Sequence, residues 1–267
     1  MDMLLSHPHP LCVLLFLLMI NHDSGFSFTL KSRKPAAGAQ YFLDSADVKD
    51  WDRFMDLGIF HGITTNPVLL DKANVRCEIQ PTLCDLAKRA LDEYGAQVFM
   101  IQTFGDSVEE YVRNGLDIAA IDTKKNRIVV KVPLTERGIV AAKQLIDKGV
   151  RICMTACYCQ HQVFTSCGLG AEYVAPYVGR MTDNGMNGVE EVISMNKIVM
   201  GLDSETRVFV ASLRDTNQLP ILASQGLKTF TFSPQIAEGL LHSPDELTEK
   251  ATADFEIAAM RAGREAR

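Results

Sequence analysis

From Tyr41 onward, short apolar runs alternate with segments whose apolar residues recur at helical spacing. The amphipathic segment near residues 108–119, for example, keeps its apolar side chains on one helical face. The apolar runs predict eight β-strands, at 41–44, 61–64, 97–102, 127–132, 150–155, 172–177, 207–212 and 229–232. Eight strands, each followed by a helix, predict an α/β fold consisting of a single (β/α)8 TIM barrel. An open doubly wound sheet is the main alternative, but no G-x-G-x-x-G sequence follows any strand.

Polar residues stand at the carboxyl ends of nearly all these strands, which is where parallel barrels carry their active sites. They are Asp44, Thr64, Thr65, Asn66, Gln102, Lys131, Thr155, Tyr177 and Ser212. One polar residue at a strand end is ordinary, whereas a set directed at one mouth of a barrel predicts a functional site.

Lys131 lies inside the apolar strand sequence IVVKVP. Burying an ammonium is costly unless it is paired or loses its proton. A lysine amine without its proton is a good nucleophile toward a carbonyl. On the residues alone, Lys131 is either such a nucleophile or a structural lysine paired with a carboxylate of the barrel.

Asp44 is the carboxylate available for acid–base chemistry at the first strand end. The alternative is that it caps a helix beginning near Ser45. Arg180, Ser212 and Arg214 follow the sixth and seventh strands and could together bind a phosphate through bidentate hydrogen bonds. Taken singly, each arginine is more often a surface ion pair.

The cluster of Cys153, Cys157, Cys159 and His161 suggests a metal site at first sight. We reject that interpretation, because Cys153 belongs to a buried strand and the spacing matches no pair of C-x-x-C knuckles. The seven cysteines of the chain form no recognisable disulfide framework either. We therefore predict no metal and a reducing compartment.

The composition narrows the classes of partner. The chain has 267 residues, 47% of them hydrophobic, and a formal net charge of −6. An acidic globular protein has no electrostatic attraction to nucleic acid or anionic lipid, so we expect neither nucleic acid nor, for the mature form, a membrane as partner. Arginines can still bind an anionic metabolite locally.

Residues 1–39 are predicted to be a targeting leader that the mature protein lacks, with the barrel domain at 40–267. The apolar run at 11–20 fits the core of a secretory signal, although no basic residue precedes it. The acid-poor stretch after it contains Lys31, Arg33 and Lys34 and resembles a transit peptide. Together they resemble the bipartite leaders that direct proteins to secondary plastids. An ordinary secretory signal is the alternative.

The motifs FLDSADV, GITTNPVLL, IVVKVPLTERG, GAEYVAPYVGR and VASLR resemble, in this order, the block signatures of the small transaldolase and fructose-6-phosphate aldolase group. The likeness runs from about Tyr41 to the final helix. It implies a class I aldolase mechanism that acts on fructose 6-phosphate through a Schiff base and needs neither metal nor other cofactor.

By this resemblance, Lys131 forms an imine with the C2 carbonyl of the ketose, and Asp44 takes the proton from the C4 hydroxyl as C3–C4 breaks. Gln102 and Thr155 hold the catalytic water, beside Tyr177. Substrate binding falls to two groups of residues. The first group is Thr65 and Asn66, of which Asn66 contacts the dihydroxyacetone part. The second group, Arg180, Ser212 and Arg214, binds the phosphate.

By the same resemblance, cleavage of C3–C4 leaves a three-carbon enamine on Lys131. What happens to this enamine stays open. A transaldolase transfers it to an aldose phosphate, and a fructose-6-phosphate aldolase protonates it and releases dihydroxyacetone. Gln102 and Tyr177 resemble the aldolase, whereas Arg214 resembles the transaldolase. A barrel that binds sugar phosphates without turning them over is an alternative of another class.

An extra helix is predicted at about 245–264, with Leu247, Ala251, Phe255 and Ala258 on one face. In a monomer it could cap the barrel. Members of the group that the chain resembles assemble into pentamers or decamers through this region, so the resemblance implies a homo-oligomer.

Overall fold

The computed structural model describes residues 38–241 and 246–265, so the predicted leader lies almost entirely outside the described residues. Eight parallel strands follow one another in sequence order around a closed barrel, which confirms the predicted fold. The strands are β1 Gln40–Asp44, β2 Phe60–Thr64, β3 Val98–Gln102, β4 Ile128–Pro133, β5 Ile152–Cys157, β6 Tyr173–Pro176, β7 Arg207–Val210 and β8 Thr229–Phe232.

Helices surround the barrel. The α-helices are α1 Val48–Phe54, α2 Pro67–Lys72, α3 Cys84–Lys88, α4 Val108–Ala119, α5 Glu136–Asp147, α6 Gln160–Leu169, α7 Val178–Asp183, α8 Gly188–Gly201, α9 Gln218–Ser224, α10 Pro234–Leu241 and α11 Glu246–Glu265. Short 3-10 turns lie at Met55–Leu57 and Ala120–Asp122, and π-helical turns at Ile79–Leu83 and Arg89–Glu93.

Four strands end at a residue other than the predicted one, and β4 runs one residue further, to Pro133. β6 and β7 stop at Pro176 and Val210, so Tyr177 and Ser212 lie just beyond the strands. Tyr177 still forms a parallel bridge with the residue after β7, which keeps the two chain segments adjacent. β5 continues two residues past Thr155, through a change of register with Ala156 at a φ of 57°. The extra residue of such a bulge re-aims the chain where it leaves the barrel.

Two apolar cores lie on opposite sides of the strands. The larger one packs the strands against the helices and includes the fully buried Trp51. The smaller one fills the barrel interior. Its members are Phe42, Val98, Met100, Val129, Cys153, Tyr173, Ala175, Phe209 and Ala211. Gly62 makes room for this interior core, because a Cβ there would lie 2.8 Å from the Phe42 ring and 2.2 Å from the Val98 oxygen.

Strand periodicity places the predicted site residues. Side chains alternate between the two faces of a strand, so a residue two positions after an interior residue also points inward. Asp44, Gln102, Lys131 and Thr155 each follow an interior-core residue by two positions. All four therefore sit in the last inward-facing layer, at the carboxyl end of the barrel.

The predicted extra helix is α11, a 20-residue helix. Its apolar side chains are open to solvent in this single chain: Phe255 is 72% exposed, Met260 64% and Ile257 49%. No helix in the described residues is both long enough and apolar enough to cross a membrane.

Candidate active site

A cavity of about 280 Å³ opens at the carboxyl end of the barrel. Seven of the predicted site residues line it: Asp44, Asn66, Lys131, Tyr177, Arg180, Ser212 and Arg214. A larger cavity, of about 850 Å³, lies near the amino ends of the strands and is lined by residues such as His61 and Arg207. That end of a TIM barrel serves stability rather than catalysis, so the smaller cavity is the candidate active site.

Lys131 is 4% exposed, and its Nζ donates a hydrogen bond to the Thr65 backbone oxygen at 3.0 Å. Within the described residues it forms no ion pair with a carboxylate. Its neighbour across the β4–β5 ladder is Cys153, and burial raises the pKa of that thiol to about 12, so the thiol stays neutral and supplies no counter-charge. The alternative of a structural lysine paired with a barrel carboxylate therefore finds no partner in this structure.

Asp44 ends β1 and faces the same cavity. Its Oδ1 accepts a hydrogen bond from Thr64 Oγ1 at 2.7 Å, and Thr64 Oγ1 lies 2.7 Å from Thr231 Oγ1. Because Thr64 gives its one hydroxyl hydrogen to Asp44, Thr231 must be the donor to Thr64. This hydroxyl chain orients the carboxylate. The helix-capping alternative for Asp44 is wrong, since Asp47 caps α1 by accepting from the Lys49 amide at 2.9 Å.

From the sequence, Thr64 was one of the polar residues at the strand ends but received no role, and Thr231 was not assigned to the site. The alternation of side chains along a strand could have identified both as inward-facing. Thr64 lies two positions after Gly62, and Thr231 lies in the alternating sequence TFTF, whose phenylalanines face the helices. Both threonines are buried on the barrel interior, out of reach of solvent. Such a residue needs a hydrogen-bond partner, and here the two threonines and Asp44 satisfy one another.

Asn66 caps α2, and its Oδ1 accepts from the backbone amides of Val68 at 3.0 Å and Leu69 at 3.1 Å. Since the oxygen is used in the cap, the amide NH2 is the part of Asn66 that can donate to a ligand. Thr65 is fully buried, and its hydroxyl donates to the Met100 oxygen at 3.0 Å. Thr65 does not line the cavity, and its contribution is the backbone oxygen that holds Lys131.

Thr155 and Tyr177 meet on the other side of Lys131. The Thr155 Oγ1 and the Tyr177 hydroxyl lie 2.9 Å apart, within hydrogen-bond distance. The Tyr177 ring packs edge-on against Tyr158 and carries the Arg180 guanidinium 5.2 Å from its centre. Gln102 is half-buried and pairs in register with Lys131 across the β3–β4 ladder. Thr155 and Gln102 are not among the residues that line the cavity.

Arg180 and Arg214 bring two positive charges to the outer part of the cavity. Arg180 Nη1 donates to the Tyr158 hydroxyl at 3.4 Å, and this contact raises the pKa of Arg180, which keeps the guanidinium charged. Arg214 Nη1 donates to Ser212 Oγ at 3.2 Å. Ser212 itself has a φ of 61°, a left-handed conformation that costs free energy for a residue with a Cβ and is enriched at functional sites.

The cysteine-rich segment stands apart from this cavity. Cys153 and Cys157 are buried, and Cys159 Sγ lies 3.3 Å from His161 Nε2. In the part of the chain that the structure describes, no three or more His, Cys, Asp or Glu side chains come together in a way that could hold a metal. The polar groups that line the candidate site include two lysine amines, a carboxylate, an amide, hydroxyls and two guanidinium groups.

This set of groups can bind a carbonyl compound covalently, move a proton and hold an anion. The amine of Lys131 can add to a carbonyl, and Asp44 can accept and return a proton. Arg180 and Arg214 can bind a phosphate at the outer end of the same cavity. The site therefore suits a phosphorylated carbonyl compound.

Comparison with known proteins agrees with this chemistry. Residues 41–265 match the family model described as Transaldolase/Fructose-6-phosphate aldolase. A probable transaldolase of Brucella ovis is 30% identical over 217 residues, which cover 81% of this chain and 94% of the relative. A probable transaldolase of Bdellovibrio bacteriovorus is 28% identical over 216 residues, covering 81% and 95%.

A solved structure of thiamine phosphate pyrophosphorylase from Pyrococcus furiosus superimposes with a TM-score of 0.51 and 15% sequence identity, over 80% of this chain and 91% of that chain. At that identity the likeness concerns the barrel fold alone. The family match spans nearly all of the described chain and includes every residue of the cavity. The chain therefore belongs to the transaldolase/fructose-6-phosphate aldolase family.

Proposed function

We propose that the protein is a Schiff-base transaldolase that takes the dihydroxyacetone unit from fructose 6-phosphate, without metal or other cofactor. The observation that carries this proposal is Lys131, a buried amine with no carboxylate partner in the described residues, in one cavity with Asp44 and two arginines. Membership of the family supports the same chemistry.

In the proposed reaction, Lys131 Nζ attacks C2 of the ketose, and loss of water gives the protonated imine. Asp44 then takes the proton from the C4 hydroxyl. The C4–O electrons form the aldehyde, C3–C4 breaks, and its electron pair moves into the imine to give a three-carbon enamine on Lys131. The phosphate on C6 leaves with glyceraldehyde 3-phosphate, which Arg180 and Arg214 bind at the outer end of the cavity.

Thr155, Tyr177 and Gln102 are proposed to hold the water that moves protons during imine formation. The hydroxyls of Thr155 and Tyr177 are already within hydrogen-bond distance of each other, and Gln102 lies beside Lys131 in the neighbouring strand. A pair of hydroxyls can both donate to and accept from one water molecule, which is what a proton relay needs. Asn66 is proposed to donate its NH2 to the dihydroxyacetone part.

The test of the proposal is reductive trapping. We would incubate the purified protein with fructose 6-phosphate and borohydride and locate the adduct by peptide mass spectrometry. The expected result is a reduced adduct on Lys131 and not on Lys72, the other lysine of the cavity lining. Folded protein that forms no adduct with a range of ketose donors would contradict the assignment of Lys131.

A fructose-6-phosphate aldolase is the second candidate, because the Tyr177 hydroxyl lies at the site and could help to protonate the enamine. We predict that Tyr177→Phe lowers the rate of free dihydroxyacetone release several-fold relative to transfer onto erythrose 4-phosphate. The measurement is the ratio of the two products from one reaction.

Tyr94→Phe is the matched control for that variant, since it also removes one tyrosine hydroxyl, from a surface contact with Asp52. The control should keep the wild-type product ratio. A Tyr177→Phe ratio equal to that of the wild type would show that this hydroxyl does not decide between the two outcomes.

We further propose that the protein is a homo-oligomer, a pentamer or a decamer, that uses α11. A single exposed apolar side chain is ordinary, but α11 exposes Phe255, Ile257 and Met260 within six residues, and such a concentration is typical of an interface. Phe255→Glu is predicted to lower the molar mass measured by light scattering, because an interface would have to bury the new charge. Phe164→Glu, on α6, is the control at a phenylalanine that is 60% exposed, and it should leave the mass unchanged. A wild-type monomer would contradict the proposal.

A further inference from the structure

Arg214 is held by Asp183, a carboxylate at the end of α7 that does not line the catalytic cavity. Asp183 Oδ2 accepts from Arg214 Nη2 at 2.7 Å and from Nε at 3.3 Å. The other terminal nitrogen, Nη1, donates to Ser212 Oγ at 3.2 Å and, over a longer distance of 3.4 Å, to the Ser212 backbone oxygen. The guanidinium is therefore fixed at one edge by a charge and at one corner by a hydroxyl.

The edge that Asp183 occupies determines which edge remains for a ligand. A guanidinium is planar and carries five N–H donors in a fixed fork. Asp183 takes the edge formed by Nε and Nη2, so the outer edge formed by the two terminal nitrogens faces away from it. That edge presents the second N–H of Nη2 and, once a ligand oxygen replaces the long contact to the Ser212 backbone oxygen, one N–H of Nη1. Two parallel donors of this kind match two oxygens of a phosphate.

The backbone of α7 supports the same orientation. A Cβ on Gly179 would lie 2.2 Å from the Ser212 backbone oxygen, 2.6 Å from Arg214 Cγ and 3.0 Å from its Cζ, so a glycine here lets both the Ser212 backbone and the arginine side chain lie against the helix. Asp183 also acts electrostatically on Arg180, whose pKa it helps to raise. The Asp183 carboxylate thus interacts with both arginines, with Arg214 through an ion pair and with Arg180 through its charge.

Fold stability does not account for this arrangement. The side chains of Arg214 and Asp183 are 49% and 53% exposed, and ion pairs at such exposure contribute little to stability. A long arginine that is free to move must instead be ordered when a ligand binds, which weakens binding. Because Asp183 already holds Arg214 in the free protein, ligand binding does not have to order this side chain.

We propose that Asp183 is a positioning residue that holds Arg214 in its phosphate-binding orientation, and that it sets the preference of the site for phosphorylated over unphosphorylated substrates. The proposal rests on the proposed function, in which Arg214 binds the phosphate of the sugar. Asp183 itself touches no substrate and acts through Arg214.

The test compares Asp183→Ala and Asp183→Asn with the wild type, using fructose 6-phosphate as substrate and inorganic phosphate as competing ligand. We expect Asp183→Ala to raise both the KM and the inhibition constant of phosphate about tenfold, because the arginine must then be ordered by the ligand. The kcat should stay within about twofold of the wild type, since the bound arginine ends in the same place. Asp183→Glu should recover part of the lost affinity.

Asp215→Asn is the matched control, since it removes one negative charge next to Arg214 in the chain. Asn keeps the Oδ1 acceptor that bonds to the Asn217 amide at 2.9 Å, so the turn is retained. Unchanged or lower constants in Asp183→Ala would overturn the proposal. An equal rise in Asp215→Asn would also overturn it, by showing a general charge effect.

Two further measurements separate this proposal from the proposed function. Trapping of Lys131 with dihydroxyacetone, which has no phosphate, should proceed at the wild-type rate in Asp183→Ala, and a slower rate would indicate damage beyond Arg214. If the wild type forms no Lys131 adduct at all, the proposed function fails. Calorimetric titration with inorganic phosphate then still decides whether Asp183 controls binding. Asp183→Asn, which changes the least volume, provides the same comparison if the alanine variant is unstable.

Discussion

Lys131→Met is expected to abolish turnover of fructose 6-phosphate, by roughly 10³-fold or more, together with the borohydride adduct. The physical reason is that methionine fills the same space without an amine, so no covalent intermediate can form. The substitution also removes a buried polar amine that has only the Thr65 backbone oxygen as a hydrogen-bond partner in the described residues, and burying a poorly paired polar group costs free energy. The melting temperature of the variant should therefore equal or exceed that of the wild type.

Loss of turnover and adduct together with an unchanged or higher melting temperature would show that the variant has lost the chemistry and not the fold. Turnover is measured by coupled assay, adduct formation by mass spectrometry and stability by thermal unfolding. Lys143→Met is the control, because this lysine lies on the outer surface of α5 in a pair with Asp147. It should keep wild-type turnover and adduct.

The same variant tests the alternative of a non-catalytic sugar-phosphate binder. Lys131→Met leaves both arginines in place, so it should still bind fructose 6-phosphate in a calorimetric titration. An enzyme loses turnover in this variant and keeps affinity, whereas a binder has no turnover to lose. Appreciable turnover in Lys131→Met would contradict the Schiff-base mechanism.

Asp44→Asn is expected to lower kcat by roughly 10²- to 10⁴-fold, the range typical of removing a general acid–base group. Asn keeps the Oδ1 acceptor for Thr64, so the hydroxyl chain through Thr231 is retained and the site keeps its shape. What is lost is the group that takes the proton from the C4 hydroxyl. The imine can still form on Lys131, and the step that breaks C3–C4 becomes slow.

The sharpest measurement is the mass of the trapped adduct. In the wild type, borohydride should trap the three-carbon and six-carbon forms together, while Asp44→Asn should accumulate the six-carbon form alone. Asp47→Asn is the control, because it makes the same chemical change three residues away, at the cap of α1, where asparagine caps as well as aspartate. A three-carbon adduct in Asp44→Asn at the wild-type rate would show that another group takes the proton.

The strands β4 and β8 show how much of the candidate site could be predicted from the sequence. IVVKVP was recognisable as a buried strand because its residues are apolar on both faces, and the one lysine within it was conspicuous for that reason. TFTF was recognised as a strand as well, but Thr231 was not assigned to the site. A threonine is common on either face of a strand. The role of Thr231 depends on its hydrogen bond with Thr64, which lies 167 residues earlier in the chain.

The sequence by itself determined the barrel, the eight strands that form it and the polar residues near their carboxyl ends, because hydrophobic periodicity and strand-end polarity are local properties of the chain. The tertiary structure alone decided that Thr65 acts through its backbone oxygen, that Thr64 and Thr231 orient Asp44, and that Asp183 stands behind Arg214. These contacts join residues from different βα units. Their distances follow from barrel closure and strand register, which no local pattern records.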